Sequence, residues 1–159
     1  MSSVGWGYDV HRFGGLGPLL LAGVIIDPDR GLVGTSDADV VAHAVSDALL
    51  GAAALGDLGQ LFPSSDPQWS GANSMMLLED VVGRFTATGW GVAHLDVTVI
   101  AERVRITPHR ALMREALAGA LRVDIDHVSV KATTTDGLGF IGRDEGVAAV
   151  AVVTAVALP

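Results

Sequence analysis

The sequence predicts a single α/β domain of the α+β type, in which a mixed β-sheet and a set of helices form two layers. Three observations predict it. The length of 159 residues suits one domain, and half of the residues are hydrophobic. Strand-like and helix-like segments also alternate along the chain, with no linker, repeat or low-complexity tract. We therefore expect one catalytic domain over residues 1–159.

The first part of the chain predicts strands. Val4 to His11 has the pattern of a strand, and Leu19 to Ile26 predicts one buried strand that ends at Asp27 to Asp29. The stretch from Gly14 to Pro18 is rich in glycine and predicts a loop between them. The chain is thus expected to begin with two strands joined by a loop.

Two helices are predicted next. Ala38 to Leu55 is rich in Ala, Leu and Val with helical periodicity, and it is expected to end near Gly56. Asn73 to Thr88 places its apolar residues on one stripe, and Gly89 follows as a stop signal. Both helices would cover one face of the sheet.

The second half alternates between the two types of element. His94 to Ala101 alternates apolar and polar residues, as strands do. Thr107 and Pro108 suit the N-cap and the first turn of a helix that continues to Leu121. Two further strands are predicted, at Val128 to Thr133 and at Gly146 to Ala157.

The charge balance argues against a nucleic-acid partner. The chain carries 18 acidic and 10 basic residues, for a formal net charge of -8, so it lacks the broad basic surface that binds a phosphate backbone. An anionic substrate would need a metal ion, backbone N–H groups or a few well-placed arginines. The high apolar content also favours burial of some surface against another subunit.

Cysteine and membrane signals are absent from the sequence. Without cysteine there can be no disulfide or thiolate metal site, so histidine and carboxylate are the strong metal ligands that remain. The longest apolar segment, Val147 to Pro159, is shorter than the roughly 20 residues of a membrane span. Met1 to Gly5 has no basic start of a signal peptide. We expect a cytoplasmic protein with no membrane partner.

Two segments carry candidate metal ligands. Asp9 and His11 are two residues apart on a predicted strand, so their side chains would point to the same side. On its own this pattern also fits a surface pair without a ligand role. Asp39, His43 and Asp47 fall close to one line on the predicted helix and interrupt an otherwise apolar surface.

The polar line on this helix must be paired, because burying an unpaired polar group costs several kcal/mol. Ser36 and Asp39 are three residues apart and are close to a capping box, which would explain them structurally. His43 and Asp47 lie one and two turns further into the helix, where capping does not explain them. A hydrogen-bonded core histidine is the alternative to a metal ligand at His43.

Asp9, His11 and His43 together form a set of two imidazoles and one carboxylate, which suits tetrahedral zinc with one position open. Such an open site can polarise a phosphoryl oxygen. Asp39 and Asp47 are predicted to pair with the imidazole N–H groups that face away from the metal. This hypothesis requires that the strand and the helix meet in the folded chain.

A third candidate segment follows the strand at Val128 to Thr133. Thr133, Thr134 and Thr135 offer hydroxyl and N–H donors to phosphate oxygens, and Asp136 could hold a hard cation such as Mg²⁺. The alternative is a threonine-rich strand that runs into an Asp-Gly turn. Two other segments fit plain loops as well as binding loops: Gly56 to Gly59 and Phe62 to Asp66.

Taken together and in order, these motifs resemble the 2-C-methyl-D-erythritol 2,4-cyclodiphosphate synthase family over essentially the whole chain. The segments that carry the resemblance are Gly7 to His11, Ser36 to His43, Asp47 to Asp57, Leu61 to Pro63 and Lys131 to Thr135. The resemblance implies a homotrimer with active sites between subunits. It also implies a phosphorus–oxygen lyase of the non-mevalonate isoprenoid pathway, in which the 2-phosphate of a cytidine diphosphate derivative of methylerythritol attacks the β-phosphate of the same molecule and releases CMP.

The resemblance also implies roles for individual residues. Asp9, His11 and His43 match the zinc ligands, and Asp136 matches a contact to a second divalent ion, Mg²⁺ or Mn²⁺, held with the substrate diphosphate. Thr134 is implied as a donor in the transition state. Thr35 is implied as a second catalytic residue. The implied substrate contacts are Ser36, Asp57, Leu58, Gly59, Phe62, Pro63, Ser64, Ser65, Asp66, Ala101, Glu102, Arg103, Val104, Arg105, Ile106, Thr107, Thr133, Thr135, Phe140 and Arg143.

The last two residues of that set, Phe140 and Arg143, match positions around a central cavity of the trimer, with Glu145 as the expected partner of Arg143. Four positions depart from the family pattern. They are Thr35 in place of a catalytic His, Ala38 in place of Gly, Asp136 in place of Glu, and Asp144 in place of Gly, which is expected to add negative charge beside the central cavity.

Two other functions remain open at this point. One is a zinc-dependent phosphoester hydrolase that uses a metal-bound water on the same three ligands. The other is a trimeric module without catalysis, which the departures at Thr35 and Asp144 make conceivable.

Overall fold

The structure is a computed structural model that describes all 159 residues. It contains a five-stranded sheet, a two-stranded hairpin and a layer of helices. The strands are β1 Ser2–Leu16, β2 Leu19–Leu21, β3 Val24–Asp27, β4 Arg30–Leu32, β5 Trp90–Ile100, β6 Val128–Thr133 and β7 Gly146–Ala157. The helices are α1 Val40–Ala52, α2 Leu58–Leu61, α3 Ser74–Ala87, α4 Arg110–Leu121 and α5 Gly139–Gly142.

The main sheet has the strand order β4-β1-β7-β5-β6. β1 and β5 each pair antiparallel with β7, whereas β5 and β6 pair parallel. The predicted mixed sheet of an α+β domain is therefore confirmed. No helix has both the length and the apolar character that a membrane span requires.

The hydrophobic core lies between this sheet and the helices. Leu49 of α1, Phe85 of α3 and Leu117 of α4 are fully buried, as are Val97 and Val153 on the facing strands. These residues come from segments whose apolar periodicity predicted them to be inside.

Glycines bring α1 unusually close to β1. A Cβ atom on Gly5 would lie 1.7 Å from the carbonyl oxygen of Ala48, and one on Gly7 would lie 1.9 Å from that of Ala44. No side chain fits into these gaps, so the backbone of the helix rests directly on the backbone of the strand. Asp9 and His11 continue the same face of β1 toward the beginning of α1.

The opposite face of β1 is exposed and apolar. Val4 is 65% exposed, Trp6 62% and Tyr8 40%, and the two aromatic rings stack at 6.1 Å. A row of this kind leaves apolar area in contact with water, which is typical of a surface that binds another protein.

The prediction of one buried strand over Leu19 to Ile26 is wrong. The segment forms the two short strands β2 and β3, because Ala22 and Gly23 both take positive φ, 53° and 72°, and turn the chain. Leu19 and Leu21 are buried, whereas Ile25 is 56% exposed.

Several predicted boundaries also differ: β5 begins at Trp90 and α1 ends at Ala52, for example. β1 continues through the predicted loop to Leu16, because Gly15 and Leu16 pair with β4. α1 begins at Val40, since Ala38 is left-handed with a φ of 59°. Thr107 is not an N-cap: it begins a single 3₁₀ turn, and α4 begins after that turn at Arg110.

Candidate active site

Asp9, His11 and His43 converge on one another. Oδ2 of Asp9 lies 3.1 Å from Nε2 of His11 and 3.0 Å from Nδ1 of His43. One ligand atom from each of the three side chains lies within 4.8 Å of the other two. The strand and the helix therefore meet where the sequence requires them to meet, and this prediction is confirmed.

The two imidazoles keep Asp9 ionised. Burial by itself would raise the pKa of Asp9, but hydrogen bonds and charge from His11 and His43 outweigh it and lower the pKa to about 2. The hydrogen bond that His11 donates to Asp9 in turn raises the pKa of His11. The cluster thus presents a carboxylate and two imidazole nitrogens to one point, the donor set of a zinc ion.

The other nitrogen of each imidazole also has a partner. Nδ1 of His11 lies 2.7 Å from the carbonyl oxygen of Val33, so this nitrogen carries a proton, because a carbonyl can only accept. Nε2 of His43 lies 2.9 Å from Oγ of Ser74 and 3.1 Å from Oγ of Ser36. Partners of this kind orient metal-binding histidines.

Asp39 and Asp47 do not have the predicted role, because neither hydrogen-bonds to an imidazole. The Asp39 carboxylate is fully buried and accepts four backbone N–H groups, two from the β2–β3 turn and two from the first turn of α1. It caps the helix by itself, so the suggested capping box with Ser36 does not form. Asp47 accepts the Leu58 N–H at 2.7 Å and joins α1 to α2.

A cavity of about 440 Å³ opens beside Asp9, His11 and His43, which we call the metal-ligand cluster. Its lining brings the cluster together with most of the implied substrate contacts from the two loops Asp57 to Gly59 and Phe62 to Asp66. The lining residues are Asp9, His11, Thr35, Ser36, His43, Asp47, Leu58, Gly59, Phe62, Pro63, Ser64, Ser65, Trp69 and Leu77.

In the loops from Asp57 to Gly59 and from Phe62 to Asp66, two predicted contacts do not line this cavity, and two residues outside the loops that do line it were not predicted. Asp57 and Asp66 cap short helical turns through the N–H groups of Gln60 and Gln68. Trp69 and Leu77 form part of the apolar wall, where Trp69 packs edge-on against Phe62 at 4.9 Å. Neither belongs to a motif, so only their apolar character could have indicated them.

The threonine turn, which we define as Thr133 to Asp136, lies apart from the cluster. Thr133, Thr134 and Asp136 are exposed at the end of β6. Asp136 has a φ of 56° and Gly137 one of 75°, as in a tight turn. Asp136 is not among the residues grouped around a common point with Asp9, and an Asp tolerates this left-handed conformation better than most residues.

The segment Ala101 to Thr107 contributes to a second cavity, of about 220 Å³. Arg103, Val104 and Arg105 line it together with Ile26, Asp27, Arg30 and His109. Ala101 and Ile106 are instead buried in the core, and Glu102 and Thr107 are not among the lining residues.

Asp144 is paired within the chain. Its carboxylate is 13% exposed and accepts a hydrogen bond from Arg30 at 2.7 Å, which offsets its negative charge. Its expected place beside a central cavity stays a prediction. The Arg30 guanidinium in turn stacks over Phe13 at 3.4 Å. The expected pair of Arg143 and Glu145 is confirmed, at 2.7 Å, and Phe140 is 43% exposed.

Comparison with known proteins relates the whole chain to one family. A model of the YgbB family matches residues 2–156. The chain is 51% identical over 150 residues to 2-C-methyl-D-erythritol 2,4-cyclodiphosphate synthase of Proteus mirabilis, covering 94% of each protein. It is 55% identical over 151 residues to the synthase of Salinibacter ruber, covering 95% of this chain and 96% of the relative.

Solved structures show the same relationship. The bifunctional IspDF from Campylobacter jejuni superposes with a TM-score of 0.97 at 42% identity over 99% of this chain. This chain spans 43% of the length of that protein. The IspF of Plasmodium falciparum in a CDP complex superposes with a TM-score of 0.87 at 27% identity, over 99% of this chain and 97% of that one.

Proposed function

The chain belongs to the YgbB family and acts as a 2-C-methyl-D-erythritol 2,4-cyclodiphosphate synthase, and we propose that Asp9, His11 and His43 hold the metal for this reaction. The observation that carries the proposal is the convergence of these three side chains beside a cavity large enough for a small phosphorylated ligand.

The reaction is an intramolecular phosphoryl transfer. An oxygen of the 2-phosphate forms a bond to the β-phosphorus of 4-diphosphocytidyl-2-C-methyl-D-erythritol 2-phosphate. The bond from that phosphorus to the bridging oxygen breaks, and this oxygen leaves with CMP. Because both reacting groups belong to one substrate, the protein has to position them and offset their charge, and no protein nucleophile is required. The product is a cyclic diphosphate in the non-mevalonate isoprenoid pathway.

The three ligands fit zinc. Ligand atoms about 2.0–2.1 Å from a tetrahedral zinc lie roughly 3.3 Å from one another, and the distances here are 3.0 and 3.1 Å. Three protein ligands leave one position for a phosphate oxygen. When bound, zinc here and Mg²⁺ or Mn²⁺ beside Asp136 supply positive charge that offsets the phosphates.

Among the three threonines, Thr134 is best placed to donate to phosphate. The hydroxyl of Thr133 donates to the Thr134 carbonyl and that of Thr135 to the Leu138 carbonyl. Oγ1 of Thr134 accepts the Asp136 N–H at 3.2 Å, which leaves its proton uncommitted. We therefore assign Thr134 as the donor to the transferring phosphoryl group, and Thr133 and Thr135 as backbone contacts to the diphosphate.

The remaining contacts divide between the two cavities. The apolar wall with Leu58 and Phe62 contacts the methyl-bearing carbon chain, and Thr35 contributes a hydroxyl at the position of the family's usual histidine. The segment from Ala101 to Thr107 receives the cytidine diphosphate, and its Arg103 and Arg105 supply positive charge in a chain with few basic residues.

The active form we propose is a homotrimer. The exposed apolar row Val4, Trp6 and Tyr8 on β1 supports an interface on that face of the sheet. The metal pocket of one subunit would then combine with the threonine turn and nucleotide segment of a neighbour, with Phe140 and Arg143 around the central cavity. The cytoplasmic location stays a prediction from the sequence.

Phosphorus NMR on the linear substrate tests the function. We expect the cyclic diphosphate and CMP to appear together with zinc-loaded protein, and turnover to stop in protein stripped with a chelator and to return when zinc is added back. Release of inorganic phosphate would instead indicate the hydrolase. No turnover, with no zinc in the purified protein, would indicate the module without catalysis.

A further inference from the structure

We propose that Asp37 and Ser74 are positioning residues that orient the His43 imidazole so that its Nδ1 presents a lone pair to a cation. The inference rests on the proposed function in one respect, the assignment of a cation to the Asp9, His11 and His43 cluster. Neither residue belongs to the predicted site, and Ser74 is fully buried at the first residue of α3.

The contacts form a continuous relay from Asp37 through Ser74 to His43. Oδ2 of Asp37 accepts the Ser74 N–H at 3.1 Å, and Oδ1 accepts the Ser74 hydroxyl. Oγ of Ser74 lies 2.9 Å from Nε2 of His43. Nδ1 on the other side of the same ring faces Asp9.

The number of available protons determines which group donates at each step of the relay. A carboxylate can only accept, so the single hydroxyl proton of Ser74 points to Asp37. The Ser74 oxygen can therefore only accept from His43, and Nε2 of His43 must carry a proton. When His43 is neutral, this leaves Nδ1 as the unprotonated nitrogen, which is the one that faces Asp9 and His11.

Ser36 fits the same direction. Its Oγ accepts the Ala38 N–H at 3.2 Å and lies 3.2 Å from Oγ of Ser74, to which it can donate. The Asp37 N–H also donates to the Ala72 carbonyl at 3.0 Å, which ties the loop before α1 to the residues before α3. The relay thus fixes the position of His43 on α1 relative to α3.

Two variants test the relay through zinc affinity, measured in purified protein by competition with a chromogenic chelator. Ser74→Ala removes the nearer of the two hydroxyl oxygens at Nε2, the one that Asp37 holds in place, and leaves Ser36 at 3.1 Å. Asp37→Asn keeps the shape of the side chain at position 37. Its amide oxygen must accept from the Ser74 N–H, so its NH₂ group donates to Oγ of Ser74. The hydroxyl proton of Ser74 is then directed toward His43. We expect each variant to bind zinc about 10- to 100-fold more weakly, as when partners of metal-binding histidines are removed elsewhere.

Ser46→Ala is the matched control. Ser46 is a buried serine on the same helix, and its hydroxyl donates to the Ala42 carbonyl at 2.8 Å without contacting the cluster. We expect it to leave zinc affinity within about two-fold of the wild type, because the bond that it removes runs only to the backbone of its own helix. The comparison shows whether the loss of any buried serine hydroxyl near the cluster weakens zinc binding, or only the loss of the one that contacts His43.

The outcomes distinguish the relay from the proposed metal site. Weakened zinc binding in Ser74→Ala and Asp37→Asn, but not in Ser46→Ala, supports the relay. Wild-type zinc affinity in a folded Ser74→Ala overturns the relay alone, and this variant decides the question if Asp37→Asn does not fold. A wild-type protein that binds no zinc overturns both the proposed function and the relay.

Discussion

The metal-ligand cluster and the threonine turn are both assigned to phosphate chemistry, yet the chain builds them in different ways. In the cluster, the side chains of Asp9, His11 and His43 are 25%, 21% and 13% exposed, and every nitrogen of the two imidazoles has a partner. In the threonine turn, Thr134 and Asp136 are exposed, and the hydroxyls bond only to residues one to three positions away.

The difference shows which half of the site a single chain completes. The cluster is held by a strand, two helices and a buried relay, so its geometry exists before any ligand binds. The side-chain hydroxyls of the threonine turn bond only to backbone groups within three residues and lie near solvent. Their partners in the reaction must therefore come from the substrate and, in the proposed trimer, from the neighbouring subunit. Changes in the cluster should therefore affect zinc binding, whereas changes in the threonine hydroxyls of the turn should affect turnover and leave zinc binding unchanged.

Removing a ligand should produce the largest effect. His43→Ala takes away one of three cation ligands, so we expect loss of bound zinc and a fall in kcat of about 1,000-fold, equivalent to roughly 4 kcal/mol. The fold should persist, which circular dichroism can check alongside elemental analysis. Normal zinc content with retained turnover would show that the cluster is not the metal site.

The close contact of α1 with β1 gives the next effect. Gly7→Ala places a Cβ 1.9 Å from the Ala44 carbonyl oxygen, so the helix must move away from the strand, at a cost of about 2–3 kcal/mol in the free energy of unfolding. Urea denaturation at a fixed protein concentration measures this, and zinc affinity should fall as well, because His43 moves with the helix.

Gly83→Ala is the control for that variant. Gly83 is exposed in α3, and an added Cβ would meet nothing within 4 Å, so we expect stabilisation by about 0.5–1 kcal/mol from helix propensity. Equal stability of Gly7→Ala and the wild type would mean that Gly7 does not set the distance between α1 and β1.

The threonine turn should respond in turnover but not in metal content. Thr134→Ala removes the uncommitted hydroxyl, and we expect kcat to fall roughly 10- to 100-fold while zinc affinity stays unchanged. Thr134→Ser keeps the hydroxyl and should restore most of the rate. A wild-type kcat in Thr134→Ala would show that the Thr134 hydroxyl does not take part in the reaction.

The smallest effect is expected at Arg143. Its guanidinium is exposed and pairs with Glu145, an arrangement that contributes little to stability. In the proposed trimer, we place it at the central cavity. Arg143→Ala should therefore keep kcat within about two-fold of the wild type in a steady-state assay. A large fall in kcat would show that Arg143 lies at the reaction centre.

Local patterns predicted the elements well. The alternation in β1 placed Asp9 and His11 on one face, and the apolar stripe of α3 placed Phe85 in the core. Patterns failed where a single backbone angle decided the outcome. The positive φ of Ala22 divides a predicted strand into two, and that of Ala38 moves the start of α1 to Val40, because an L-residue in this region gives no sequence signal comparable to glycine.

By itself, the sequence determined the type and spacing of the ligand side chains, since strand and helix periods are local properties of the chain. Only the tertiary structure decided which side chains meet. It gave His43 a buried serine 31 residues away as its partner, instead of the aspartates on its own helix, and gave Asp39 to the β2–β3 turn. Periodicity determines which face of its own element a residue occupies. Which other element covers that face depends on how distant segments pack, and here Gly5 and Gly7 permit the close approach of α1 to β1.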